Sequence, residues 1–156
     1  MEIPENPFAR YPHGGRQLLG RPRNLTGASR SGYGLAFQRI TGQVTCADCA
    51  VSLVDDYDQW LVMQVDHVVP AGEARRLGID LLYYEDAIDL VLACAGCHGF
   101  GNRYRCAAET EPGSVRDIVA FLDLRDRTFA DRIARIAERH AIERALFEAR
   151  PWATAP

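Results

Sequence analysis

The sequence predicts an α+β fold with a small antiparallel hairpin, a pair of cysteine knuckles and mainly helical flanks. Three observations predict it: two Cys-x-x-Cys pairs, short β-branched segments between them, and amphipathic stretches in the C-terminal third. A chain of 156 residues suits one compact domain.

Bulk composition is that of an ordinary globular protein, with 47% hydrophobic and 25% charged residues. No apolar run approaches the roughly 20 residues that span a bilayer, and the first residues lack the apolar core of a secretory signal. We therefore expect a cytoplasmic protein without a membrane segment. Net charge is −3, yet residues 1–45 carry six arginines and two acids. Residues 1–33, rich in Gly, Pro and Arg, are expected to form an irregular basic arm that is either solvated or bound to phosphate.

The middle of the chain predicts one hairpin. A short helix is expected over 34–40. Residues 50–54 are apolar and β-branched, the acidic run at 55–58 is typical of a turn, and residues 59–69 follow as a second strand. Residues 83–92 are too short an apolar run to decide between helix and buried turn.

The C-terminal third predicts two helices. Ser114 is a candidate N-cap for a helix that ends near Arg125, and Thr128 is a candidate N-cap for a second helix that Pro151 ends. The second helix would bury one stripe, comprising Phe129, Ile133, Ile136, Ala137, Ala141, Ala145 and Leu146.

Two Cys-x-x-Cys pairs, Cys46/Cys49 and Cys94/Cys97, can supply four thiolates to one ion. Zinc prefers four such ligands in a tetrahedron, which makes a closed structural site. The fifth cysteine, Cys106, is expected to be a small buried apolar residue. The pairs are too far apart for a simple zinc ribbon, so a larger unit is inserted between them.

The inserted segment and its flanks resemble the HNH endonuclease family. The matching pieces, in order, are CADC at 46–49, VDHVVP at 65–70, IDLVLAC at 88–94 and CAGCHGFGNR at 94–103. The resemblance covers residues 46–103 and implies a ββα-metal core, also called a His-Me finger. We accordingly expect a zinc-stapled core over 34–106 and a helical extension of the same domain over 107–156.

The resemblance also implies site residues. Asp66 and His98 would bind a catalytic divalent ion, such as Mg²⁺, Mn²⁺ or another transition metal, and Asp89 would orient the catalytic histidine. That histidine is His67, whose imidazole titrates near neutral pH and can remove a proton from water. Asp89 stands where the family usually has Asn, and Gly101 where it often has Lys. Contact with phosphate would then fall to Asn102, Arg103 and Arg105.

Three functions are consistent with the sequence. The first is a metal-dependent endonuclease that hydrolyses phosphodiester bonds in DNA, with RNA as an open alternative. The second is a zinc-stapled module that binds nucleic acid or protein, with a degenerate or partner-dependent nuclease site. The third is a subunit whose targeting comes from a protein partner docked on the helices of residues 114–150.

Overall fold

The computed structural model describes residues 37–38, 41–86, 88–100 and 104–150. From Tyr57 onward the described ranges contain six helices and two strands. They are α1 (Tyr57–Val62), β1 (Gln64–His67), α2 (Ala71–Leu77), α3 (Leu81–Tyr84), β2 (Leu90–Ala93), α4 (Ala95–Gly99), α5 (Arg105–Glu109) and α6 (Ile118–Ala149). This mixture of helices with one small antiparallel sheet confirms the α+β class.

The sheet joins β1 to β2 in antiparallel register, with Gln64 opposite Ala93 and His67 opposite Leu90. All four residues of β2 are buried, as its uninterrupted apolar sequence allows. Helix α4 begins directly after β2, at Ala95. Strand β2 therefore leads directly into α4 at the second cysteine pair, whereas helices α2 and α3 separate β2 from β1 along the chain.

The predicted hairpin between residues 50–54 and 59–69 is wrong, although part of its second strand is confirmed as β1. Residues 57–62 are helical because Asp56 caps α1, its carboxylate accepting the Gln59 N–H at 2.9 Å. Residues 50–54 contribute only an isolated bridge between Ser52 and Thr45. The partner of β1 is β2, so the segment that the sequence left undecided holds helix α3 and then a strand.

The two predicted C-terminal helices are one helix, α6, of 32 residues. Asp117, not Ser114, is its N-cap, and its carboxylate accepts the Ala120 N–H at 2.8 Å. Thr128 lies inside the helix and is fully buried. No Gly or Pro occurs between the ends of α6, so nothing in the sequence breaks it.

The buried stripe of α6 also differs from the expected one. Ile136 is buried as expected, but Ile133 and Leu146 are exposed. Thr128 and Arg132 instead share the buried face with Ile136, at four-residue spacing. Ile136 belongs to the core around the cysteine pairs, while Phe121 and Leu124 belong to a second core. Helix α6 therefore packs against both halves of the domain.

Other expectations fall partly or wholly outside the described ranges. Of the helix expected at 34–40, residues 37 and 38 are described and are helical. The arm at 1–33 lies outside. No described helix has the length and apolar character needed to cross a bilayer.

Candidate metal centre and histidine site

The ligand atoms of Cys46, Cys49, Cys94 and Cys97 all lie within 4.8 Å of one another. The sulfurs of Cys49 and Cys94 are 3.9 Å apart. A tetrahedron with Zn–S bonds of ~2.3 Å has edges of about 3.8 Å, so the observed spacing fits a zinc ion. The four cysteines are positioned to hold a metal ion, which is consistent with the predicted structural zinc.

Backbone hydrogen bonds shape the first knuckle, residues 45–52. The Cys46 N–H donates to the Val51 carbonyl at 2.8 Å, and the Ala50 N–H donates to the Cys46 carbonyl at 3.0 Å. Ala50 closes this tight turn with a positive φ of 61°. The turn brings both sulfurs of the pair to one side, as a chelating knuckle requires.

The second knuckle, residues 94–97, is the junction of β2 and α4. Cys94 caps α4, and its sulfur accepts the Cys97 N–H at 3.4 Å. The Ala47 N–H donates to the Leu92 carbonyl at 2.9 Å and so joins the first knuckle to β2. Cys106 is half-buried on α5 and is not one of the four clustered cysteines.

Proximity and burial shift the pKa values of Cys46, Cys94 and Cys97. A hydrogen bond from Cys94 lowers the pKa of Cys46 to about 5, because it stabilises that thiolate. The same hydrogen bond raises the pKa of Cys94, and burial raises the pKa of Cys97. Thiolate ligands must be deprotonated, so binding of a divalent ion by these four cysteines would be accompanied by release of their thiol protons.

Helix α6 adds two polar groups behind the knuckles that the sequence did not predict. His140 Nε2 lies 3.1 Å from the sulfur of Cys97, and the His140 ring meets Phe100 edge-on at 4.8 Å between centroids. Arg132 forms a two-point ion pair with Asp48, the residue just before Cys49, at 2.6 and 2.9 Å. Burial opposes the charged guanidinium, but the hydrogen bond with Asp48 and the charge of Asp66 raise the pKa of Arg132.

His67 ends β1. Its Nε2 lies 3.6 Å from Glu85 Oε1, and its ring centroid lies 6.5 Å from that of Tyr84. Its backbone is held on both sides, since its N–H donates to Asp66 Oδ1 at 2.9 Å and its carbonyl accepts from Arg132 at 3.1 Å. The imidazole therefore sits on a fixed strand end with a carboxylate beside it.

Asp89 is fully buried one residue before β2 and holds the chain that follows His67. Its carbonyl accepts the Val68 N–H at 2.7 Å, and its Oδ1 accepts the Val69 N–H at 3.0 Å. Burial raises the pKa of Asp89 well above the ordinary aspartate value. Its Oδ2 has no hydrogen-bond partner within the described ranges. Asp89 thus contacts the backbone behind the histidine.

Asp66 and His98, the predicted ligands of a divalent ion, lie in different environments. The Asp66 side chain is buried, and its Oδ2 accepts from Arg132 at 2.9 Å. His98 is exposed on α4, where its side chain makes no hydrogen bond or ion pair with another described residue. Among the residues that the structure describes, only the four cysteines form a metal-binding group of three or more ligands. A divalent ion on Asp66 and His98 stays a prediction.

The predicted phosphate contacts can be located only in part. Arg105 begins α5, is exposed, and pairs with Glu109 at 2.7 Å. Its backbone N–H donates to Asp131 at 2.6 Å. Asn102 and Arg103 lie outside the described ranges.

Comparison with known proteins gives no assignment. No protein-family model, no curated protein and no solved structure matches the chain.

Proposed function

We propose that this protein is a zinc-stapled endonuclease of the HNH type that hydrolyses phosphodiester bonds in DNA. The observation that carries the proposal is the strand end at His67. His67 lies opposite the first residue of β2, the strand that leads into the second knuckle. Asp89 accepts hydrogen bonds from the two residues that follow His67. A histidine fixed in this way, in a chain that also carries a four-cysteine site, is what the sequence resemblance implies.

His67 would act as the general base. An imidazole can take a proton from a water molecule near neutral pH, and a positioned base contributes about 10²- to 10⁴-fold to rate. Glu85, 3.6 Å from Nε2, would stabilise the imidazolium that proton transfer produces. A divalent ion, which the resemblance assigns to Asp66 and His98, would supply Lewis-acid stabilisation of the phosphate and the leaving oxygen.

The four-cysteine centre would have a structural part only. Four thiolates close the coordination sphere and leave no open position for substrate. Reduced thiols at this density suit a reducing compartment, so we propose a cytoplasmic protein.

The proposal is tested by incubating purified protein with supercoiled plasmid in a titration of Mg²⁺ or Mn²⁺. Zinc content is measured in every sample, so that loss of the structural metal is not mistaken for loss of catalysis. The expected result is nicking that rises with the added ion and is abolished by His67→Ala at equal zinc content. Nicking that persists in the variant at every metal concentration would contradict the assignment of His67.

One observation favours the second candidate, a zinc-stapled binding module. The Asp66 carboxylate already faces Arg132, and a module without hydrolysis needs only that packing. Its signature would be binding of labelled duplex, or capture of a protein partner, without cleavage in any metal. For DNA, the affinity should fall steeply with salt, because phosphate contacts release counterions.

A further inference from the structure

Arg132 is the largest fully buried side chain in the part of the chain that the structure describes, and it contacts two separate segments of the chain. Its Nε and Nη2 donate to the carboxylate of Asp48 in the first knuckle. Nη2 also donates to Asp66, and Nη1 donates to the carbonyl of His67. One guanidinium therefore spans the space between the metal centre and the end of β1.

The chemistry of the cluster requires arginine. A guanidinium offers five N–H donors in a planar fork, and four donor–acceptor contacts are made here. A lysine ammonium has three donors on a flexible stem and cannot bridge the same acceptors in the same plane. The side chains of Arg132 and Asp48 are wholly buried, and that of Asp66 is 8% exposed, so solvent cannot replace a lost contact.

We propose that Arg132 is a positioning residue that couples the cysteine centre to the proposed catalytic strand. Asp48 moves with the first knuckle because it directly precedes Cys49, and Arg132 transmits its position to Asp66 and to the His67 carbonyl. Metal binding at the knuckles thereby fixes the place of His67. The catalytic part of this inference rests on the proposed function, whereas the coupling itself does not.

The test compares Arg132→Lys with Arg135→Lys, the same change one turn along α6 at an exposed arginine that pairs with Asp131. Two measurements are independent of activity. One is the rate of zinc transfer to a chromophoric chelator, and the other is the position of the His67 imidazole signals in nitrogen-correlated NMR spectra. Arg132→Lys should release zinc roughly 10-fold faster and shift the His67 signals, whereas Arg135→Lys should change neither.

Asp48→Asn separates coupling from simple loss of packing. It removes one acceptor from the knuckle side and leaves the Asp66 and His67 contacts of Arg132 in place. We expect this variant to shift the His67 signals in the wild-type background and to add no further shift in the Arg132→Lys background. Should Arg132→Lys fail to fold, the single variant Asp48→Asn still decides, because unchanged His67 signals would overturn the proposal.

Activity gives the last readout. Misplacement of a catalytic group by about 1 Å lowers turnover by roughly 100-fold, so Arg132→Lys should lower kcat and leave KM for plasmid nearly unchanged. An active wild type with unaltered kcat, zinc release and His67 signals in Arg132→Lys would overturn the coupling while the nuclease proposal stands. If wild type never cleaves, but Arg132→Lys releases zinc faster and shifts the His67 signals as expected, the nuclease proposal fails while the coupling stands.

Discussion

The Oδ1 of Asp89 accepts the backbone N–H of Val69 at 3.0 Å, from a position with no solvent exposure. This contact crosses from the residue before β2 to the second residue after β1. An asparagine side chain offers the same acceptor atom in the same place. Aspartate at this position therefore makes the same backbone contact that an asparagine would make, and this contact holds the loop that follows His67.

Replacement of Asp89 by Asn should make stability less dependent on pH. Burial raises the pKa of Asp89. The charges of Arg125 and Arg132 lower this pKa and the charge of Asp66 raises it, and the net change is a rise. An acid whose pKa is higher in the folded than in the unfolded state favours folding below its unfolded pKa of about 3.9. That contribution is lost as the pH rises through the folded pKa.

Asp89→Asn should accordingly unfold at a higher denaturant concentration than wild type at pH 7 to 8, with the difference shrinking toward pH 4. Chemical denaturation across pH measures this. Asp55→Asn, at an exposed aspartate, is the control and should track wild type. A variant that loses stability equally at all pH values would show that the carboxylate itself is needed.

Removal of a cysteine ligand should unfold much of the domain. Zinc binding to closed thiolate sites stabilises folded domains by on the order of 10 kcal/mol. Cys49→Ser should lose stoichiometric zinc and its cooperative thermal transition, although Cys49 is exposed. Cys106→Ser, outside the cluster, should retain both. Full zinc content in Cys49→Ser, measured by mass spectrometry, would refute the four-cysteine centre.

His140 should tune the metal centre. Its Nε2 lies 3.1 Å from the sulfur of Cys97, and groups behind a ligand typically change metal affinity by about 10- to 100-fold. His140→Ala should therefore weaken zinc binding in competition with a chelator. Glu138→Ala, at an exposed position on the same helix, should not. Equal affinities in the two variants would mean that the contact to Cys97 contributes nothing.

Helix α6 should contribute to stability through its buried face alone. Ile136 is 1% exposed and packs in the core around the cysteine pairs, whereas Ile142 is 52% exposed. Ile136→Ala should destabilise the protein by about 2–5 kcal/mol, and Ile142→Ala by no more than about 0.5 kcal/mol. Comparable losses in urea denaturation would show that the far end of α6 is covered in solution.

Local sequence patterns predicted the cysteine centre and the α+β class, because ligand spacing and apolar runs report on local structure. The pairing of β1 with β2 was missed because residues 59–62 resemble the start of a strand in composition, whereas in the structure they belong to helix α1, which Asp56 caps. Arg132 could not be singled out among the arginines by composition. The available signal was its four-residue spacing from Thr128 and Ile136. That signal could be used only once the buried face of α6 was known.

The nicking rate of His67→Ala relative to wild type tests the central claim most directly. Both proteins are compared on supercoiled plasmid in saturating Mn²⁺, after zinc content and thermal unfolding have been shown to match. Loss of a positioned general base predicts a fall of about 10²- to 10⁴-fold in the variant. Equal rates of cleavage would contradict the assignment of His67 as the general base, and no cleavage by wild type in any divalent metal would contradict the endonuclease proposal and favour the binding module.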